Sequence, residues 1–276
     1  MSITYIHKTA NLVAVNKPAG IHSHPIAKSK NNSIAELVFE EIPEIRIAGP
    51  SSLEGGLLHR LDQGTSGCLL FARNKKTYSN FKILFEEQKI RKFYLCWCYP
   101  STENYEDLRE GAVRLYLTHD PKSKKKMKAF TKPPKQKHWV ADTNVFLVAQ
   151  VENLNLFLVE IKSGVTHQIR VTMSSLGLPI LSDPIYCKPS MRLKNLKPKS
   201  IQPDEKNRLE KIWKQFLEKN KEAVFFPLQT SAPKNAFFLH ALAVQSDATS
   251  ELKKTIFAKP PTYFISTKNE FDLGLH

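Results

Sequence analysis

Cysteine is scarce and badly spaced for bridges or metal: Cys68, Cys96, Cys98 and Cys187 make neither a disulfide framework nor the paired C-x-x-C of a zinc site. Reduced thiols, and with them a cytoplasmic location, are the expectation. No apolar run reaches the roughly eighteen residues of a spanning helix, and the N-terminus lacks the apolar core of a signal peptide. The first arginine is Arg46, which argues against an Arg-rich transit peptide. No dinucleotide or phosphate-loop motif is present, so no cofactor is expected. No internal repeat is visible. Acidic residues are also few, 26 against 41 Lys and Arg, for a net charge of +15. Such an excess excludes little by itself, but it points to a polyanionic partner, either nucleic acid or an anionic membrane surface.

The 276 residues, 41% of them hydrophobic, suffice for a large core and are expected to form one domain. Polar, reactive residues concentrate at one place, Gly55 to Arg73, reading GGLLHRLDQGTSGCLLFAR. Leu57 and Leu58 lead in and Cys68 to Ala72 lead out, each run short enough for a buried strand. Between them stand His59, Arg60, Asp62, Gln63, Thr65 and Ser66, with Gly64 and Gly67 permitting backbone conformations closed to other residues. Asp62 therefore reads as a carboxylate projecting from a positioned turn, with Arg60 two residues back to keep it ionised.

Elsewhere the pattern is that of a mixed protein. Leu12–Val15 is a strand running into Lys17-Pro18-Ala19-Gly20, a Pro/Gly turn. His22 and His24 share one side of an extended segment, but a third ligand is missing nearby and no metal site is expected. Ser33-Ile34-Ala35-Glu36 is a capping box, and Tyr78, Phe81, Leu84 and Phe85 recur at helical spacing. Arg91 to Tyr99 alternates as a strand in which Cys96 and Cys98 share a core face. Asn144–Val151 and Leu156–Lys162 form a hairpin joined by Glu152–Asn155. Thr166 is placed to cap a helix that carries Ile169, Met173 and Leu176 inward and His167, Arg170 and Ser174 on the opposite, polar face. Arg170, in the first turn, leans back toward the preceding loop and could meet a carboxylate.

Two basic stretches frame this helix. Pro121 to His138 holds eight lysines and no acid, and reads as a solvated loop able to contact phosphates. Lys188 to Lys221 holds eleven Lys or Arg against four acids, and Leu209, Ile212, Trp213, Phe216 and Leu217 mark an amphipathic helix within it. A basic helical insertion at about 188–235 is expected, followed by a core strand over Phe237–Gln245 and a proline-marked tail from Lys259.

His59 through Gly67 resembles the H-R-L-D-x-x-T-S-G signature of the RluA family of RNA pseudouridine synthases. Three further segments resemble that family in order: VAVNKPAGI (Val13–Ile21), RKFY (Arg91–Tyr94) and SGVTHQIRVTMSSLGLPILSDPIY (Ser163–Tyr186). The resemblance implies an α+β pseudouridine synthase fold, with a mixed, mostly antiparallel central sheet flanked by helices and loops. It implies isomerisation of uridine to pseudouridine in ribosomal or transfer RNA, with Asp62 as the catalytic carboxylate and no cofactor or metal. Tyr94 then matches the tyrosine against the target base, Arg170 the basic partner of the aspartate, and Arg60 a residue that reaches a phosphate or fills the space of the flipped base.

Many relatives carry an N-terminal S4 domain, which is not expected here. A monomer acting on RNA, with no membrane and no obligate protein partner, is the expectation. Two positions depart from the family pattern: Val165 stands where it has arginine in T-G-R, and Ser182 where it usually has glycine in G-D. Two other readings stay open. One is a non-catalytic basic RNA-binding protein. The other is a serine hydrolase using Ser66 and His59, although Gly64-Thr65-Ser66-Gly67 lacks the G-x-S-x-G elbow.

Overall fold

Seven residues in a row, Ser66–Ala72, are buried on both faces, which requires the strand they form to be covered from either side. In the computed structural model, residues 2–26, 33–100, 108–187, 192–193, 196–225, 227 and 232–267 are described, with only the backbone of Lys124, Val224, Ser266 and Thr267. The elements begin with β1 (Tyr5–Lys8), β2 (Leu12–Lys17), α1 (Ile34–Glu41), a 3-10 turn (Pro43–Ile47), β3 (Ser66–Ala72), α2 (Lys75–Glu86) and β4 (Arg91–Cys98). They continue with β5 (Glu110–Asp120), β6 (Ser123–Phe130), β7 (Trp139–Val151), β8 (Leu154–Ile161), α3 (Gln168–Ser175) and α4 (Pro203–Lys219). The chain ends through β9 (Ala223–Val224), β10 (Leu239–Gln245), α5 (Ser250–Lys253), β11 (Ile256–Phe257) and β12 (Ser266–Thr267). No helix among the described residues is long and apolar enough to cross a membrane.

The chain packs as two compact units, and passes between them within β4, after Ala232, after Ala236, within β10 and after Pro261. In the first unit the strand order is β1-β2-β3-β10, with β11 on β10. β2 and β3 pair antiparallel from Leu12 opposite Ala72 to Lys17 opposite Gly67, while β10 runs parallel to β3. Gly67 has φ +115°, and a Cβ there would lie 2.3 Å from the Ala241 carbonyl oxygen, so glycine is obligatory where β3 meets β10. Gly64, in contrast, is not among the positive-φ residues. The capping box forms as expected, with the Ser33 side chain on the Glu36 amide and the Glu36 carboxylate on the Ser33 amide. Asn74 caps α2, whose Phe81 is buried and whose Tyr78, Leu84 and Phe85 pack on the core of β2 and β3.

In the second unit the order is β4-β8-β7-β5-β6, and the pairs β5/β6, β5/β7 and β7/β8 are antiparallel. The β7/β8 hairpin turns on two residues, Glu152-Asn153, rather than on Glu152–Asn155: Glu152 adopts φ +51°, and β8 already begins at Leu154. The lysine-rich segment is not a loop throughout: Ser123–Phe130 is β6, the end strand, paired to β5 with Tyr116 opposite Phe130 and His119 opposite Met127. Met127 is buried and anchors the strand, while Lys125 and Lys128 are exposed and Lys126 is half-buried. An edge strand rich in lysine also repels unwanted strand pairing.

The expected amphipathic helix is α4, which buries Leu209, Ile212 and Phe216. Trp213 stacks on Phe216, while Leu217 is exposed. Among the described residues, the ion pairs Lys162–Glu205, Lys206–Glu110 and Arg208–Glu160 tie the helix to the rest of the second unit. Of the segment expected to be an insertion, residues 188–191, 194–195, 226 and 228–231 lie outside the described residues, as do residues 268–276 of the tail.

Candidate active site

The loop that carries Asp62 is held at both of its flanks by the segment after β2. The Ser23 hydroxyl donates to the Leu61 carbonyl at 2.8 Å and accepts from the Leu61 amide at 2.9 Å. On the other side, Gln63 accepts from the Gly20 amide at 2.8 Å and from Lys17 Nζ at 3.3 Å, and donates its side-chain amide to the Gly20 carbonyl. The Thr65 amide closes a turn onto the Asp62 carbonyl. Asp62 is thus half-buried between two residues whose positions are fixed.

Lys17 is completely buried, and its three ammonium protons face three carbonyls, those of Pro18, Ile21 and Gln63. Burial pulls its pKa down to about 7, while the field of the Asp62 carboxylate resists that fall. Lys17 and Ser23 are structural supports of the site that local sequence reading leaves without a role. Lys17 lies within the Val13–Ile21 motif, but only the folded chain shows that its side chain turns back onto the loop of Asp62.

Arg60 points away from the core, more than half exposed, with Nη1 3.7 Å from Glu54. His59 is half-buried, and its Nε2 accepts from the Leu70 amide at 3.3 Å, which ties the start of the loop to β3. The pairing needed for a Ser66–His59 hydrolase does not form. The Ser66 hydroxyl donates instead to Nδ1 of His240 at 2.9 Å, and Nε2 of His240 donates to the Ala258 carbonyl. Both Ser66 and His240 are buried, so this pair joins β3 to β10 and offers no nucleophile to solvent.

Burial pushes His240 down to about 4, and His59 to about 3 with help from Lys92 and Lys82. Both are neutral bases in the folded state whose pKa rises on unfolding, so their stabilising effect is complete above the unfolded value near 6.5 and is lost as pH falls toward 4. Unfolding free energy is expected to drop between pH 6.5 and 4 by about 1.4 kcal/mol per pH unit for each group. His240→Gln, which keeps polar partners but cannot titrate, should remove one group's share of the slope in urea titrations. An unchanged slope would show that another group controls acid unfolding.

Tyr94 and Arg170 belong to the second unit. Tyr94 is 6% exposed on β4. Cys96 and Cys98 are buried in the same strand, as expected of core thiols. The helix bearing Arg170 departs from expectation in two ways. Its N-cap is His167, with φ +56° and no side-chain cap, rather than Thr166. Its second face is not polar surface: all eight residues of α3 are buried, Arg170 at 3% and Ser174 at 2% exposure. The reason is that the segment Ser182–Tyr186 lies against that face, where Ser174 donates to the Tyr186 carbonyl and the His167 ring meets the Tyr186 hydroxyl.

Arg170 forms a two-pronged pair with Asp183, Nε to Oδ2 at 2.7 Å and Nη2 to Oδ1 at 3.0 Å. Its guanidinium lies 4.4 Å from the Phe237 ring centroid and 5.1 Å from that of Tyr186. Oδ1 of Asp183 also accepts the amides of Ile185 and Tyr186. Ser182 has φ +63°, so the turn that glycine would make without strain is kept at some cost by serine. Val165 is half-buried, its amide held by the Gln168 side chain, with no guanidinium to offer at this point.

The pattern described as RNA pseudouridylate synthase matches residues 11–175. "Ribosomal large subunit pseudouridine synthase D" of Borreliella burgdorferi is 27% identical over 195 residues, covering 70% of this chain and 57% of that protein. An "Uncharacterized RNA pseudouridine synthase" of Haemophilus influenzae is 30% identical over 196 residues, covering 68% of this chain and 75% of that protein. The chain thus spans little more than half the length of the first of these relatives. Among solved structures, "Human RNA Pseudouridylate Synthase Domain Containing 4" has a TM-score of 0.61 at 21% identity, covering 95% of this chain and 90% of that one. "Human RNA Pseudouridylate Synthase Domain Containing 1" also has a TM-score of 0.61, at 15% identity, covering 95% and 85%. These likenesses establish the α+β, mostly antiparallel fold.

Proposed function

Because the chain belongs to the RluA-type RNA pseudouridylate synthase family, we propose that it isomerises uridine to pseudouridine in structured RNA, ribosomal or transfer, with Asp62 as the catalytic group. The observation that carries this is the clamp on Leu61 and Gln63, which fixes the carboxylate between them in a half-buried turn. In the reaction the bond from ribose C1′ to N1 breaks and a bond from C1′ to C5 forms. The proton on C5 is lost and N1 gains one, so no electrons are exchanged. A carboxylate at the sugar–base junction can act as nucleophile or base in this sequence.

A stacked uridine must first leave the helix, at a cost of a few kcal/mol. Tyr94 is assigned to the target base, Arg60 to a phosphate or the vacated space, and Arg170 to support of the carboxylate chemistry. A cytoplasmic monomer with one catalytic domain goes with the proposal. Mapping pseudouridines in RNA from cells with and without this gene, and restoring them with purified protein, tests it. Absence of product from folded protein on every cellular RNA would leave a non-catalytic RNA binder.

The lysines of β6 and the loop after it are assigned to phosphates. For every phosphate that is no longer neutralised, the slope of log affinity against log salt should flatten by roughly 0.7 to 0.9. Lys125→Ala, Lys126→Ala and Lys128→Ala combined are therefore expected to weaken RNA binding and reduce that slope. An unchanged slope would make β6 a solubility device only.

A further inference from the structure

The β5–β6–β7 sheet has one face closed by packing and the other open. Leu115, Leu117, Met127 and Ala141 are buried on the closed face, on the side where α3 packs against these strands. The opposite face is covered toward β8, where Arg208 of α4 and Asn144 of β7 both bond Glu160. Farther along, toward the sheet edge, it carries a row of residues in register across three strands: Phe130, Tyr116 and Val140. Tyr116 and Phe130 are half-buried, and Val140 is 45% exposed. His138 stands edge-on to Tyr116 at 5.4 Å, and Lys128 Nζ lies 5.3 Å from the Phe130 ring centroid.

Aromatic rings placed side by side on a strand surface would be an aggregation hazard without a partner. Here their surroundings name the partner's charge. From Pro121 to His138 there are eight lysines and no acid, and Lys122, Lys125, Lys128, Lys132, Lys135 and Lys137 are exposed. Asp142, on the same face, is already forked by Arg114 at 2.6 and 2.8 Å, which neutralises that corner. An anionic backbone can run along the β6 edge while planar groups lie on the rings. Duplex RNA hides its base faces, whereas unpaired nucleotides present them.

We propose that the open face built on Tyr116, Phe130 and His138 is a stacking platform for a single-stranded segment of the RNA, separate from the loop of Asp62. This rests on RNA being the substrate of the chain, and it assigns a substrate feature: a stretch of unpaired nucleotides within that RNA. The rings supply sequence-tolerant stacking, and the lysines supply the phosphate contacts.

The test uses the full chain and fluorescence anisotropy with a labelled unstructured 12-nucleotide RNA and a duplex of equal length. Tyr116→Leu and Phe130→Leu keep apolar bulk but remove the π-face. Each is expected to weaken single-strand binding roughly tenfold with the salt slope unchanged, and to change duplex binding little. Phe130→Tyr should bind as wild type. Wild-type melting temperatures must accompany the comparison, so that folding losses are separated from binding losses. Single-strand affinity unchanged in both folded Leu variants overturns the platform, as does an equal loss on duplex and single strand. If wild type makes no pseudouridine yet the Leu variants lose single-strand binding, the catalytic proposal fails and the platform stands. If wild type is active and the Leu variants bind normally, the platform fails and the catalytic proposal stands.

Discussion

Asp62→Asn is expected to reduce pseudouridine formation to background while leaving the fold and RNA affinity in place. The substitution keeps the size of the side chain and removes its negative charge and basicity. The two residues that hold the turn are bound through their main chains and the side chain of Gln63, none of which the change touches. RNA binding should hold or tighten, because one charge repelling phosphates is gone. The appropriate measurement is single-turnover product formation at saturating protein, on RNA from cells lacking the enzyme. Ser66→Ala is the comparison, since a hydrolase would depend on that hydroxyl. Its expected cost is in the buried bond to His240, thus in stability rather than in rate. Normal product from Asp62→Asn would sink the proposed mechanism.

Arg170→Ala is expected to be destabilising as well as inactivating. Read as a polar-face residue of a surface helix, Arg170 should be removable without harm to the fold. Buried at 3% exposure and forked on Asp183, it is not. Truncation leaves the Asp183 carboxylate inside the protein without its counter-charge, a change that typically costs about 3–5 kcal/mol. The two amides of Ile185 and Tyr186 still bond Asp183, which places the expectation toward the lower end. Arg170→Lys should recover part of the loss, because a point charge keeps the attraction but not the fork. Urea unfolding of the three proteins settles the stability claim, and wild-type stability in Arg170→Ala would show that Asp183 is neutralised in another way. Activity is then to be compared at a temperature where each variant is folded, and a normal rate there would remove Arg170 from the chemistry.

Much of this protein was determined locally, where neighbours in sequence are neighbours in space. The Ser33 capping box, the Asn74-started helix with Phe81 inward, the hairpin of β7 and β8 and the stripe of α4 all follow from spacings of two to eight residues. The order of motifs around Asp62 was equally legible. What the tertiary structure decided involves partners far apart in the chain. Ser66 meets His240 across 174 positions rather than nearby His59, because β10 enters parallel to β3 and presents His240 beside it. Lys17 becomes a buried clamp because β2 delivers it beneath Gln63, 46 residues on. Arg170 is buried because Ser182–Tyr186 folds onto the face that helical periodicity leaves polar. The lysine-rich stretch becomes a strand because β5 supplies a ladder of backbone partners, and such pairing can outweigh the weak strand preference of lysine. Local pattern records which faces avoid water, whereas the identity of what covers them depends on which distant segments the chain brings there.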